Sequence, residues 1–411
     1  MEALYPKCAG LDVHKANVVA CVRVMARTEV TYQTRTFQTT TKELLALCAW
    51  LTEHGCTHVA MEATGVYWKP VWHLLEGSFT LVLANATQIK GIARPKTDVS
   101  DARWIADLLA HGLIRSSFVP EQPIQELRTL TRTRKQLVQE QTRHILRIQK
   151  TLEDANIKLD NVLSDIVGQS GRAMLRALIQ GTTDPLTLVA LAHPKVKASR
   201  EALAEALRGQ VTAHHRFLLK LHLDQIEHIE EALAALDKEV DDALLPFRAE
   251  VQLLKTIPGV SGITAAILLA ELGADMAHFP TAQHLVSWAR LCPRNDESAG
   301  KRQSTRVRKG SRWLKPALMQ VVLAAIRKKP PTYLRAQYYR IQARRGPKKA
   351  RVAVAASILT AIYFVLRDKV SYRDLGPDYF DKSAPTKAIE RLVRRLNNLG
   401  KDVELRDRTA A

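Results

Sequence analysis

The sequence predicts an α/β domain over residues 1–120, a helical, coiled-coil-like middle over 121–250 and a mainly helical region over 251–411. Three observations carry that division. Up to Leu83, strand-like runs alternate with amphipathic helical ones, which makes a sheet of mixed direction. From Gln122, apolar residues return at roughly helical spacing with Arg, Lys and Gln between them. Beyond Glu297 no acidic residue occurs until Asp368, while Lys and Arg recur throughout. A length of 411 residues suits two or three such domains.

Residues 7–37 read as three strands. Cys8–Val13 is the first, and His14–Asn17 is a polar turn. Val18–Val24 is a near-continuous apolar run, and Val30–Phe37 alternates with Thr and Gln. Thr41–Glu53 is a helix with Leu44, Leu45, Leu47, Trp50 and Leu51 apolar. A strand at His58–Glu62 leads through Ala63-Thr64-Gly65 into a short helix carrying Tyr67, Trp68, Val71 and Leu74. Phe79–Leu83 is a further strand, and Asn85 begins a loop. That loop ends at Lys96–Arg103, where Asp98 and Asp101 open a helix. Ile105, Leu108 and Leu109 follow at helical spacing and Gly112 closes it.

Residues i and i+3 share a helix face, so Asp98 and Asp101 project side by side. Alone, the pair is explained by a solvated first turn, where acidic residues suit the helix dipole. Asp12 and Glu62 change that reading. Asp12 sits near the end of the first strand, inside the apolar context Gly-Leu-Asp-Val, and Glu62 ends the fourth. In such sheets functional groups gather at the carboxyl ends of central strands. Buried charges are normally paired or bound to metal. Asp12, Glu62, Asp98 and Asp101 are therefore the candidate catalytic and metal-ligating set. They suit two Mg²⁺ ions about 4 Å apart, which activate an oxygen nucleophile against a phosphodiester and stabilise the leaving oxygen.

In the middle region Leu127, Leu130, Leu137, Ile145, Ile148 and Leu152 mark one long helix. Ile226, Ile229, Leu233, Leu236 and Val240 mark a second, expected over roughly 200–245. The seam is heptad-like and fits an antiparallel hairpin that serves dimerisation, or an ordinary helical bundle. Residues 155–200 read as an insertion without a functional signal. His214, His215, His222 and His228 lack carboxylate partners in a fixed pattern and are expected on a polar helix face.

The third region opens with a short helix ending in Pro258-Gly259, a small-residue turn and the apolar helix Ala265–Leu272. This reads as a helix-hairpin-helix, whose turn amides and helix N-terminus grip phosphate, or as a plain helix connection. In the acid-free stretch the candidate nucleic-acid contacts are Lys301, Arg302, Arg306, Arg308, Lys309, Arg312, Arg340, Arg344, Arg345, Lys348 and Lys349. Tyr333, Tyr338 and Tyr339 interleave with them. Tyrosines stack on bases and arginines clamp phosphates. A run this long and one-signed repels itself unless a polyanion meets it.

The totals agree. Lys and Arg number 61 against 41 Asp and Glu, a formal +20 with a pI near 9.9. That points to a polyanionic partner, nucleic acid first and an anionic membrane surface second. No apolar run reaches membrane-spanning length. The longest, Val352–Leu366, is bounded by Arg351 and Arg367 and reads as a buried core helix. Five scattered cysteines without Cys-x-x-Cys suggest neither a disulfide framework nor a zinc site. Met-Glu-Ala-Leu-Tyr-Pro-Lys has no signal-peptide character, so a reducing cytoplasm is the expected location.

Five motifs follow in order: Gly10-Leu11-Asp12-Val13, Glu62-Ala63-Thr64-Gly65, Thr97-Asp98-x-x-Asp101-Ala102, Ile257-Pro258-Gly259 and Asn295-Asp296-Glu297-Ser298-Ala299-Gly300-Lys301-Arg302. Together they closely resemble the insertion sequence 110 family of transposases, whose relatives include site-specific DNA invertases. The resemblance covers nearly the whole chain and extends to the closing Tyr372–Phe380. Each motif is weak alone, but five in order at compatible spacing are specific. The resemblance implies an RNase H-like, RuvC-type N-terminal domain with Asp12, Glu62, Asp98 and Asp101 as its DEDD set. It also implies a C-terminal transposase domain with Ser298 as nucleophile. Donor and target double-stranded DNA, a structured guide RNA encoded by the element, and a homodimer or homotetramer come with it. The insertion near 155–200 is longer than the middle region of compact family members. Two other functions fit the residues: a junction-resolving nuclease in which water attacks, and a non-catalytic nucleic-acid-binding protein.

Overall fold

Strands β1 (Lys7–Val13), β2 (Asn17–Ala26), β3 (Glu29–Gln38), β4 (His58–Glu62) and β5 (Thr80–Ala84) form one sheet in the order β3-β2-β1-β4-β5. Neighbours among β1, β2 and β3 pair antiparallel, whereas β1, β4 and β5 run parallel. This is the mixed sheet expected, and it is compatible with an RNase H-like fold. The computed structural model describes residues 3–26, 29–63, 65–85, 97–294, 296–304 and 306–405. They divide into two units, Met1–Pro120 and Glu121–Ala411. Most of the loop expected from Asn85 lies, at 86–96, outside the described residues.

In the first unit β1 and most of β2 are buried on both faces, which is why Val18–Val24 lacks alternation. Helices α1 (Thr41–Glu53) and α2 (Trp68–Leu75) cover one face, where Leu44, Leu47, Val71 and Trp72 pack on Leu11, Val13, Phe37 and Met61. Helix α3 (Asp98–Ala110) covers the other, with Ile105 and Leu109 against Cys8, Ala60 and Ala84.

In the second unit α4 (Gln122–Asp154) is followed by four short helices, α5 (Leu159–Val162), α6 (Gln169–Gln180), α7 (Pro185–Val189) and α8 (Arg200–Ala206), and then by α9 (Ala213–Ala243). Helices α4 and α9 run antiparallel: Arg134 grips Asp237, Gln141 donates to Glu230 at 2.9 Å, and Asp154 meets His215 at 3.0 Å. The insertion is thus a helical cap with its own core, in which Leu175, Leu178 and Leu203 join Ile148, Leu152 and Leu219. Two expectations are corrected. The second long helix begins at Ala213 and not near 200, because Gly209 lies tight against the Ala155 backbone and Thr212 caps a new helix by accepting from His215 N. His215 is no part of a polar face, since it is buried and has a carboxylate partner in Asp154.

The remainder is α10 (Arg248–Lys255), α11 (Gly262–Leu272), α12 (Ala282–Trp288), the hairpin β6 (Asp296–Ser298) and β7 (Lys301–Ser304), α13 (Leu314–Arg327), α14 (Tyr333–Arg345), α15 (Pro347–Asp368), α16 (Tyr379–Ser383) and α17 (Pro385–Asn398). Val354, Ile358, Leu359 and Ile362 of α15 are wholly buried in the core of this unit, and Tyr363 Oη donates to Phe279 O at 3.0 Å. With 22 residues α15 does reach spanning length and apolarity, longer than Val352–Leu366 because Pro347 starts the helix a turn earlier. Half of its most apolar stretch is nonetheless buried within the protein, as in a core helix.

Candidate active site and nucleic-acid surface

Gly10 sets how closely α3 approaches the sheet. A Cβ there would lie 2.2 Å from Ala102 O and 2.4 Å from Ala106 N, so only glycine lets the helix backbone rest on β1. Asp107 holds that seat, accepting from the buried Arg23 Nε at 3.1 Å and from Tyr32 Oη at 2.6 Å. The start of α3 is fixed by Thr97, which accepts from Ser100 N while Ser100 Oγ accepts from Thr97 N at 3.1 Å. Asp98 and Asp101 therefore occupy the first turn, as expected from their spacing.

Alternation places Asp12 on the same face of β1 as Gly10, toward α3. Leu11 pairs with Met61, so Asp12 and Glu62 follow at the next position of adjacent parallel strands. The four carboxylates meet electrostatically. Burial pushes the Asp12 carboxyl above its ordinary range; His14 opposes this, and Asp101, Asp98 and Glu62 push further in the same direction as burial. His14, in the polar turn just after β1, stands among them. Its Nε2 lies 3.2 Å from Asp12 Oδ2 and 3.6 Å from Asp98 Oδ2. That nitrogen is shut off from solvent and makes no hydrogen bond among the described residues. One donor atom from each of Asp12, His14 and Asp98 falls within 4.8 Å of the others. Donors about 2.1 Å from a common ion stand roughly 3 to 4 Å apart, so the group fits a divalent cation. The only sequence signal for His14 is its place two residues beyond Asp12, where a continuing strand would repeat the same side.

Ser298 closes β6 and pairs in register with Lys301. Ala299 and Gly300 between them have φ of 50° and 72°, the positive pair that marks a type I′ hairpin. The segment is therefore a paired two-residue turn. Arg302 pairs with Glu297 on the same hairpin, while Asn295 lies outside the described residues.

The basic residues form an exposed surface in the second unit. Lys301, Arg306, Arg308, Lys309 and Arg312 are exposed, as are Arg340, Arg344, Arg345, Lys348 and Lys349. The tyrosines divide differently from the expectation. Tyr338 is buried and Tyr333 stacks on Phe380, because both lie on the face by which α14 packs; Tyr339 is exposed. Tyr339, Arg340, Arg344, Phe380, Arg391 and Arg395 line a groove of about 560 Å³. Sequence reasoning missed a second cluster. Arg132 and Lys135 of α4 stand 5.3 Å from the Trp313 ring and Arg312 stands 4.8 Å from it. Glu271 binds Arg132 through both oxygens, and Lys135 Nζ donates to Arg312 O at 3.0 Å. Between α10 and α11, Gly259 (φ 89°) packs on Val321 and Ala325 of α13. Ser261, Gly262 and Ile263 present the capped start of α11 to solvent.

Residues 9–157 match the DEDD-type IS110 transposase model, and residues 251–339 match the transposase model of the IS116/IS110/IS902 family; together they cover more than half of the chain. A protein of Streptomyces coelicolor described as an insertion element IS110 uncharacterized 43.6 kDa protein is 28% identical over 69% of this chain and 73% of its own. The pilin gene-inverting proteins of Moraxella lacunata and Moraxella bovis are each 24% identical over 87% of this chain and 95% of theirs.

Proposed function

The chain belongs to the IS110 family of transposases and is a DNA transposase and recombinase, and from that premise we propose that Asp12, Glu62, Asp98, Asp101 and Ser298 carry out its strand exchange. The observation behind this reading is the gathering of three carboxylates, Asp98, Asp101 and Glu62, around Asp12, a group that repels itself until a cation joins it. Asp12 and Asp98 would hold the ion, with Glu62 and Asp101 beside them, and a pair of Mg²⁺ ions bound there supplies charge stabilisation to the phosphate oxygens.

A serine hydroxyl is a weak nucleophile. In the proposed step Ser298 Oγ bonds to the scissile phosphorus as the bond from phosphorus to a deoxyribose oxygen breaks. The serine proton passes to the medium and the departing oxygen takes one up. One phosphodiester replaces another, so the reverse attack rejoins the strands without an external energy source. Lys301, Arg302, Arg306, Arg308, Lys309 and Arg312 position the duplex through its phosphates. The amides at Ser261–Ile263 add a helix-hairpin-helix grip on the backbone. The working form is a homodimer or homotetramer with donor and target DNA and a structured guide RNA. The formal +20 supports a polyanionic partner, and the exposed apolar ridge Ile389, Leu392 and Leu396 of α17 supports assembly.

The test is Ser298→Ala. It should lose cleavage and recombination while keeping fold and DNA binding, and nuclease-digested wild-type reactions should show nucleotide mass on the Ser298 peptide. Cleavage at the normal rate by Ser298→Ala would mean that water attacks and that the chain works as a junction-type nuclease.

A further inference from the structure

We infer that His14 is a metal ligand that sets which divalent cation the carboxylate site prefers; the inference rests on the metal-dependent reading of that site. His14 Nε2 is itself closed to solvent, although the side chain is 43% exposed and that of Asp98 59%; it lies 3.2 Å from Asp12 Oδ2 and 3.6 Å from Asp98 Oδ2, and hydrogen-bonds to neither. A histidine that served only to neutralise acids would align an N–H on one of them, as His215 aligns with Asp154 at 3.0 Å. Nε2 instead shares a group with Asp12 and Asp98 whose donor atoms fall within 4.8 Å of one another. Mutual spacings of this kind suit donors converging on one position, and one imidazole nitrogen lying between two carboxylates can serve both acids through a shared ion.

A nitrogen in that group changes its chemistry. Mg²⁺ is a hard ion that takes oxygen donors and holds its waters tightly, while imidazole suits later divalent ions. A site of carboxylates alone discriminates little between Mg²⁺ and Mn²⁺. Adding His14 Nε2 favours Mn²⁺, and Co²⁺ still more by the general affinity order for mixed nitrogen and oxygen sites. The position of His14 supports this use. It follows Asp12 by two residues, just beyond β1, so ring and carboxylate are carried by one rigid strand end, and Asp98 is delivered by the capped start of α3.

The experiment uses the full-length chain without nucleic acid. Mn²⁺ is titrated while the free-ion electron paramagnetic resonance signal is followed, Mg²⁺ is used as competitor, and bound Mn²⁺ is examined by electron spin-echo modulation for a coordinated ¹⁴N. Wild type should bind Mn²⁺ with clear ¹⁴N modulation. His14→Gln should still bind Mn²⁺ but lose the modulation, and its preference for Mn²⁺ over Mg²⁺ should fall by about tenfold. His14→Asp, with an oxygen in place of nitrogen, should bind both ions and favour Mg²⁺ more than wild type does. Mn²⁺ bound by wild type without ¹⁴N modulation, or with modulation that persists in His14→Gln, overturns the role of His14 and leaves the carboxylate site standing. Wild type that binds no more Mn²⁺ than Asp12→Asn overturns both.

Discussion

At Asp12, burial and three other carboxylates act in the same direction, and only His14 opposes them. A folded-state pKa above the ordinary value means the folded chain binds this proton more tightly than the unfolded chain. The metal-free fold therefore loses stability as pH rises from the ordinary carboxylate range through the raised value, and the loss persists at neutral pH. Asp12→Asn should then raise the metal-free Tm at neutral pH by a few degrees, on the order of 1 kcal/mol. The gain should vanish on acidification into the ordinary carboxylate range, and a divalent cation that stabilises wild type should no longer stabilise the variant. A variant less stable than wild type without metal would show that Asp12 is not held under repulsion. The carboxylates were legible because their signals are local: an acid amid apolar strand residues, and two acids one helical turn apart. His14 and His215 were not legible. The Nε2 of His14 acquires its meaning from Asp98, delivered by another element, and His215 from Asp154, 61 positions away.

Helix α3 carries two of the four carboxylates, and its distance from β1 is controlled by the absence of one side chain. Gly10→Ala would bring a methyl group within 2.2 Å of Ala102 O, closer than real contacts allow, and the atom it meets is backbone. The helix must then move outward, with a loss of about 1 to 3 kcal/mol from overpacking. Asp98 and Asp101 move with it while Asp12 stays on the strand, so divalent-cation affinity should fall in the same variant even where it remains folded. Calorimetric unfolding together with metal titration checks both. Unchanged affinity in a folded Gly10→Ala would separate the helix seat from the site. Strands and long helices were readable because their periodicity lies in consecutive residues, and Thr41–Glu53 and His58–Glu62 appear with the bounds expected. The break between α8 and α9 was not, since it depends on Gly209 meeting Ala155 across the cap. The hairpin at Ser298 was missed for another reason: Ala299 takes a positive φ that alanine seldom adopts, so its residues do not announce the turn.

Across the whole chain the formal charge of +20 is distributed unevenly, because the stretch from Ser298 to Arg367 contains no acid at all. Charge of that kind is legible in sequence, whereas which aromatic residues accompany it at the surface is decided by packing, as the burial of Tyr338 and the cationic setting of Trp313 show. Arg344, Arg345, Lys348 and Lys349 flank Gly346 and are all exposed, at the junction of α14 and α15. Contacts between such side chains and phosphates act by releasing counterions, with about 0.9 in the logarithmic salt slope for each phosphate neutralised on a duplex. Changing all four to Gln should lower the slope of DNA affinity against salt by up to about 3 to 4. Affinity should fall similarly for unrelated duplexes, since phosphates carry no base identity. Lys135→Gln, which removes one cation beside Trp313, should change the slope by about 1 or less. Fluorescence anisotropy on two unrelated duplexes at several salt concentrations measures all of these. An unchanged slope in the fourfold variant, or a loss confined to one duplex, would mean that this junction is not a phosphate contact and that the basic surface meets its partner elsewhere along the acid-free stretch.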